Sequence, residues 1–263
     1  MTVGLFWHFA RLRMRERMEY RGAYLAGMVA QILAYVADFL VIWVLVRRFG
    51  TLASWTWEEI ALLWAFNLLS YAIGAAFTFC QSELEGLIQG GTFDGYLVRP
   101  LNPYASFAAQ RFNVGYLGHI LLAAGILAWA LTNLDITWTP LSVLFLVLAL
   151  AGASLLQAAV LTLVGAWAFL FVRAQFLFGF ASTLRTFITY PITIYGAAIQ
   201  IVLTVVVPFA FVNFYPASVL LDKEGQLLPG WIGWLTPVVG ALAFSGAYRV
   251  WMRGVDRYQG AGG

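Results

Sequence analysis

Charged residues are scarce in this sequence. Asp, Glu, Lys and Arg make up 10% of the 263 residues and hydrophobic residues make up 62%, whereas a soluble domain carries about 25% charged residues. The apolar residues form continuous runs and do not alternate with polar ones, which favours membrane-spanning helices over the strands of an outer-membrane barrel. We therefore predict an all-α, polytopic integral membrane protein.

The residues that nucleotide binding and catalysis require are nearly missing as well. The one lysine, Lys223, follows Asp222, so the sequence has no Gly-Lys-Ser/Thr loop to hold ATP phosphates. The two histidines and the single cysteine, Cys80, form no metal-binding motif, and no Gly-x-Ser-x-Gly nucleophile elbow occurs. We expect a chain that is not an enzyme and that binds no cofactor or metal itself.

The N-terminal residues 3–21 read as an amphipathic helix. One face is apolar at helical spacing, through Trp7, Ala10, Met14 and Met18. Another face is charged, through Arg11, Arg15 and Glu19. A basic helix with an apolar side lies in the membrane interface. The alternative is a solvated arm whose arginines only mark one side of the membrane.

Six apolar stretches are predicted to cross the membrane, since about 20 apolar residues suffice. They cover about 23–46, 57–80, 112–132, 140–171, 192–215 and 231–252. The second stretch opens with a capping-box pattern, Thr56 and Glu59, and the fourth with Thr139 followed by Pro140 at the first helical position.

The chain between the fourth and sixth spans is harder to assign. Residues 173–190 read as a short amphipathic segment at the interface. Pro208 then kinks or ends the fifth span. Two interpretations stay open: the span runs to about Tyr215, or residues 209–221 dip back into the membrane as a re-entrant segment.

Basic residues are distributed unevenly between the two sides. With the N-terminus in the cytoplasm, twelve fall on that side, including Arg173 and Arg185, and three on the other. The positive-inside rule predicts this split for six helices with both termini in the cytoplasm. The net charge of +3 therefore gives no reason to expect a nucleic acid partner.

One polar interruption, residues 81–105, separates the second and third spans. Leu84, Leu87 and Ile88 predict a short amphipathic helix, which Gly90 and Gly91 would end. The interruption also carries three acidic residues on the predicted cytoplasmic side, Glu83, Glu85 and Asp94. A short helix in water, held by two spans, can transmit force from a soluble partner. The alternative is an interfacial loop that has no partner.

Few polar groups lie within the predicted spans. The candidates for a translocation path are Asp38, Asn67, Tyr71, Gln157 and Gln200. Asp38 is the one acidic residue away from the first turn of a predicted span. It either contacts the translocation path or is a structural carboxylate, bonded between helices or close enough to the outer edge to reach water.

Residues 91–103, Gly-Thr-Phe-Asp-Gly-Tyr-Leu-Val-Arg-Pro-Leu-Asn-Pro, resemble a stretch of type-2 ATP-binding cassette exporter permeases, Gly-x-x-Asp-x-x-Leu-x-Arg-Pro-Leu-Asn-Pro. Three further stretches resemble the same family in the same order. They are 57–59, the region from Tyr190-Pro191 to Tyr215-Pro216-Ala217, and the tail 257–262. The resemblance thus extends over nearly the whole chain.

The resemblance implies a permease in the bacterial plasma membrane, with an interfacial N-terminal helix, six spans and a cytoplasmic coupling helix. Such permeases often have re-entrant helices before the sixth span. Two permease subunits, identical or similar, pair in the lipid bilayer, and each docks on a separate ATPase subunit that binds ATP and Mg.

By position, the resemblance assigns the coupling contact to residues 83–89 and 92–99. The residues concerned are Glu83, Leu84, Glu85, Leu87, Ile88, Phe93, Asp94, Tyr96, Leu97 and Arg99. The family leaves the substrate open, and we expect an apolar or amphipathic compound. Two other functions remain in view: an ion-coupled transporter that works alone, and an assembly protein that transports nothing.

Overall fold

The computed structural model describes residues 3–171, 174–223 and 227–258. Every regular element in these ranges is a helix, which confirms the predicted all-α class. Arg173 and the tail from Gln259 onward lie outside the described residues, as do the side chains of Trp7 and Met18.

Twelve α-helices are present in the described part of the chain. They are α1 (Val3–Glu19), α2 (Arg21–Phe49), α3 (Trp57–Thr78), α4 (Leu84–Gln89), α5 (Asp94–Leu97), α6 (Pro103–Gln110), α7 (Leu117–Asn133), α8 (Pro140–Ala166), α9 (Phe176–Thr186), α10 (Ala197–Ile201), α11 (Phe214–Leu220) and α12 (Thr236–Asp256). Short turns of tighter helix extend several of them, and a π-helical turn, Val202–Val206, extends α10.

Five helices in the described ranges are long and apolar enough to cross a membrane. They are Arg21–Phe49, Trp57–Gln89, Val114–Asn133, Pro140–Phe169 and Gly230–Asp256. We call the end of the bundle where residues 79–110 lie the loop end, and the opposite end, where α3 begins, the far end.

The helix starts predicted from local sequence are found in the structure. The backbone N–H of Thr56 donates to Glu59 Oε2 at 2.7 Å at the start of α3. Thr139 Oγ1 accepts from the backbone N–H of Ser142 at 3.1 Å, and Pro140 is the first residue of α8. Both contacts satisfy backbone groups that a helix end otherwise leaves without partners.

Helix α8 packs closely on α3 and α12 because glycines stand at the contacts. A Cβ added to Gly74 would lie 2.6 Å from the carbonyl oxygen of Ser154, and one added to Gly152 would lie 2.6 Å from that of Thr236. No real side chain tolerates such distances to backbone atoms. Small residues let membrane helices approach in this way.

Helix α9 and the turn after it cross much of the bundle, which corrects the interfacial segment predicted for 173–190. The backbone just before α9 donates two hydrogen bonds to Glu85, at the loop end. Ile188 lies just after α9, and its carbonyl oxygen accepts a hydrogen bond from Asn213 Nδ2 at 2.6 Å. The same amide nitrogen donates to the carbonyl oxygen of Leu63 at 3.1 Å. Leu63 lies in the second turn of α3, so α9 runs from the loop end into the far half.

The fifth predicted span, 192–215, is not one straight helix. Residues Ala197–Val206 and Phe209–Leu220 are joined at an angle of 79°. The break falls at Pro208, which has no N–H to continue a helix.

The second arm of this bent pair leads back to the far end. Lys223, just beyond it, donates to the carbonyl oxygen of Ser54 and pairs with Glu59, both at 2.9 Å. Both partners lie at the start of α3. Because the chain is already in the far half at Ile188, this geometry favours the re-entrant interpretation of residues 209–221. We call Ala197–Leu220 the re-entrant hairpin.

Candidate coupling loop and polar site

The polar interruption is a folded unit of three short helices. Helix α4 ends at Gly90, and Gly91 has φ +66°, a left-handed conformation that glycine adopts without strain. The predicted break at the two glycines is thus confirmed. Beyond α5, the side chain of Asn102 accepts from the backbone N–H of Ala105 and caps α6.

An aromatic core fastens this unit to the ends of the long helices. The Phe93 ring is fully buried and lies 5.4 Å from the ring of Phe169 and 6.1 Å from that of Trp251. Trp251, in α12, is also fully buried and donates Nε1–H to Gln81 Oε1 at 2.9 Å. The loop and α12 are therefore in direct contact through both ring packing and a hydrogen bond.

Glu85 links the loop to α9. Its Oε2 accepts from the backbone N–H groups of Ala174 and Gln175, each at 2.7 Å. A carboxylate in this position satisfies amide groups that have no helical acceptor and interacts favourably with the positive end of the helix. Sequence reasoning missed this contact because its partners lie 89 and 90 residues away along the chain.

The remaining predicted charges of the loop differ in their surroundings. Glu83 pairs with Arg111, and Arg111 Nε also donates to the Tyr96 hydroxyl at 3.1 Å. Burial raises the pKa of Tyr96, so its hydroxyl stays protonated and accepts this bond. Asp94 and Arg99 are exposed.

The ten predicted coupling residues therefore divide by exposure. Leu84 and Phe93 are fully buried. Four half-buried side chains pack against the aromatic core: Leu87, Ile88, Tyr96 and Leu97. Glu85 is half-buried and Glu83 is exposed, as are Asp94 and Arg99. We call the exposed group Asp94, Gly95, Val98, Arg99 and Pro100 the loop tip.

Three of the five predicted path residues lie together, halfway along the bundle. Gln157 Nε2, on α8, donates to Asn67 Oδ1, on α3, at 3.1 Å, and both side chains are buried. Gln157 and Tyr71 line the same cavity. Gln200 lies elsewhere and donates to the Tyr195 carbonyl oxygen at 2.8 Å. Asp38 is exposed on α2.

The cavity beside Gln157, which we call the polar cavity, is lined by a charged residue that was predicted to lie on the cytoplasmic side. Its volume is about 240 Å³, and Ser182 and Arg185 of α9 line it. The Arg185 guanidinium lies 3.9 Å from the centre of the Tyr71 ring. Counting Arg185 among the cytoplasmic basic residues was therefore wrong, because α9 carries it into the middle of the bundle.

A family model described as "ABC-2 family transporter protein" matches residues 32–262. Neither the curated proteins nor the solved structures contain a match to this chain. The family match covers all the long helices beyond the start of α2 and includes the loop and the polar cavity. The chain therefore belongs to the ABC-2 transporter family, as a multi-pass membrane permease of an ABC transporter.

Proposed function

We propose that this chain is the membrane-spanning subunit of an ATP-driven exporter. ATP and Mg bind to a separate ATPase subunit, which docks on the loop tip. The observation that carries the proposal is that the loop is exposed at its tip, while its other side chains pack against the ends of the long helices. Val98 is 81% exposed, whereas Phe93, five residues earlier, is 0% exposed.

This arrangement suits the transmission of force. Movement of the ATPase against the loop tip passes through the aromatic core to α12, and through Glu85 to α9. Packed elements of this kind shift as rigid bodies and do not deform gradually. The substrate then moves past the centre of the bundle as these helices change position.

We place the loop end in the cytoplasm of a bacterial cell, with the protein in the plasma membrane and both termini on the same side as the loop. Without Arg173 and Arg185, basic residues still number ten at this end and three at the other. A second permease subunit, identical or similar, completes the transporter. The exposed apolar surface of α2 offers room for it.

The docking proposal is tested by reversing the exposed charge Arg99. We expect Arg99→Glu to lower copurification of the ATPase subunit and to abolish most ATP-dependent export in reconstituted vesicles. The thermal stability of the permease should stay unchanged because Arg99 is exposed and lies outside the aromatic core. Arg48→Glu, at the exposed end of α2, is the matched control and should behave as wild type. Normal ATPase binding and export by Arg99→Glu would overturn the assignment of the loop tip.

The orientation is tested separately by labelling a cysteine at the loop tip. In a Cys80→Ala background, Val98→Cys should react with a membrane-impermeant maleimide only after the cells are opened. A cysteine at Leu227, an exposed residue between the re-entrant hairpin and α12, should react in intact cells. The reverse pattern would place the loop outside the cell and refute the proposed docking of a cytoplasmic ATPase.

A further inference from the structure

Arg185 is a charged side chain halfway through an apolar bundle, and its partners are aromatic. Its guanidinium lies over the Tyr71 ring at 3.9 Å and interacts with the Tyr35 side chain. Among the residues that the structure describes, no carboxylate lies within ion-pair distance of it. Two of its neighbours in the cavity are neutral polar residues, Gln157 and Ser182.

A charge in this position is costly unless something compensates it. Ionisable residues inside membrane proteins are normally paired or face a functional cavity. Cation–π contact supplies part of the compensation. An arginine carries five N–H donors in a planar fork, and this geometry suits a carboxylate or a phosphate. The cavity beside Arg185 is where such an anion could sit.

An apolar groove adjoins the polar cavity. It has a volume of about 690 Å³ and lies between α8, α9, α12 and the break at Pro208. It shares Val160, Ala181 and Phe209 with the polar cavity. Its lining is almost entirely apolar and aromatic, and its size is typical of sites for drug-sized ligands.

The groove extends from the loop end of the bundle to the polar cavity. Trp167, Phe171 and Phe176 line it where α8 ends and α9 begins, at the loop end. Pro208 and Phe209, from the re-entrant hairpin, line it where it meets the polar cavity. The hairpin therefore stands between the groove and the far end of the bundle.

We propose that the groove and the polar cavity form one binding site for an amphipathic anion. Arg185 binds its acidic head, with Gln157 and Ser182 beside it, and the groove takes its hydrocarbon chain. The inference rests on the proposed export function and names the substrate class. A molecule held at mid-depth beneath the re-entrant hairpin is a substrate awaiting release at the far end.

The test uses a brominated fatty acid, because bromine quenches nearby tryptophan fluorescence and Trp167 lines the groove. Purified permease in phosphatidylcholine nanodiscs is titrated with 9,10-dibromostearate and with its uncharged methyl ester. We expect saturable quenching that Trp167→Phe removes. The anion should bind about 10- to 140-fold more tightly than the ester, since a hydrogen bond to a charged group contributes about 1.5–3 kcal/mol.

Variants of Arg185 decide whether this residue carries the preference. Arg185→Gln should remove the preference for the anion, and Arg185→Lys should keep part of it, which also shows that the site tolerates substitution. Arg48→Gln is the control, because Arg48 lines neither cavity. Equal binding of acid and ester to wild type, or an unchanged preference in Arg185→Gln, would overturn the proposal.

A bound membrane lipid is distinguished from a substrate by two further measurements. Phosphatidylglycerol in the nanodisc should displace the probe only weakly, and vesicles holding the complete transporter should export dibromostearate on addition of ATP. Full displacement by the lipid, together with no export, would identify a resident lipid and would refute the substrate assignment. Binding is measured on the permease alone, so its failure leaves the loop proposal standing, and Arg99→Glu should leave binding unchanged.

Discussion

Helices α2 and α3 are neighbours in the chain and both are long and apolar, yet they differ in how much of each is buried in the bundle. In the apolar stretch of α3, 83% of the residues are buried, whereas in that of α2 only 11% are. Helix α3 carries Asn67, which bonds across to α8, and Gly74, which allows backbone contact. Hydropathy thus identifies which segments enter the membrane, whereas small and polar residues decide which segments form the centre.

The largest effect is expected from filling the closest contact of α3. Gly74→Leu should destabilise the protein by about 3 kcal/mol, because the new side chain meets the backbone of α8 and a packed core cannot absorb the added volume. Gly27→Leu on α2 is the matched control, since a Cβ there meets nothing within 4 Å. The measurement is the midpoint of thermal unfolding of both variants in detergent. Similar midpoints would contradict the central position of α3.

An intermediate effect is expected from breaking the hydrogen bond between α3 and α8. Asn67→Ala leaves the Gln157 amide without its partner and should cost about 1 kcal/mol, as interhelical hydrogen bonds in membranes do. Asp38→Asn on α2 should leave both stability and export unchanged, because Asp38 is exposed and lines neither cavity. Reduced export by Asp38→Asn would restore Asp38 to the translocation path.

The smallest effect on stability is expected on the exposed side of α2. Val41→Ala should change the free energy of unfolding by less than about 0.5 kcal/mol, as surface substitutions do, since Val41 is 57% exposed. The same position tests the proposed second permease subunit. In a Cys80→Ala background, Val41→Cys should form a disulfide-linked dimer on oxidation, whereas Leu62→Cys, at a fully buried position, should not. Cross-linking at Leu62 alone would reverse the roles of the two helices.

Features that depend on neighbours in sequence were predictable. The caps at Thr56 and Thr139 and the break at Gly90 and Gly91 involve residues a few positions apart. The all-α class follows from the length of the apolar runs. The loop was recognisable from its polar residues, although exposure within it, high for Val98 and absent for Phe93, depends on the aromatic core and could not be derived from the sequence.

Features that depend on distant residues were not predictable. Helix α9 has 11 residues, which is shorter than the stretch that hydropathy takes as a span. Because of Arg173 and Arg185, residues 173–190 were predicted to be a short amphipathic segment at the interface. The bend at Pro208 was expected, but the direction of the second arm depends on Asn213 and on Lys223, which contact residues at the start of α3.

The attachment of Glu85 to the start of α9 has a mechanical consequence. Eleven residues of α-helix form a rod about 16 Å long, anchored at one end by that carboxylate and bearing Arg185 near the other. A rod does not stretch, so a push at its base arrives at its tip. In the proposed transporter, each cycle of ATP hydrolysis would thereby displace the positive charge of Arg185 within the apolar interior of the membrane.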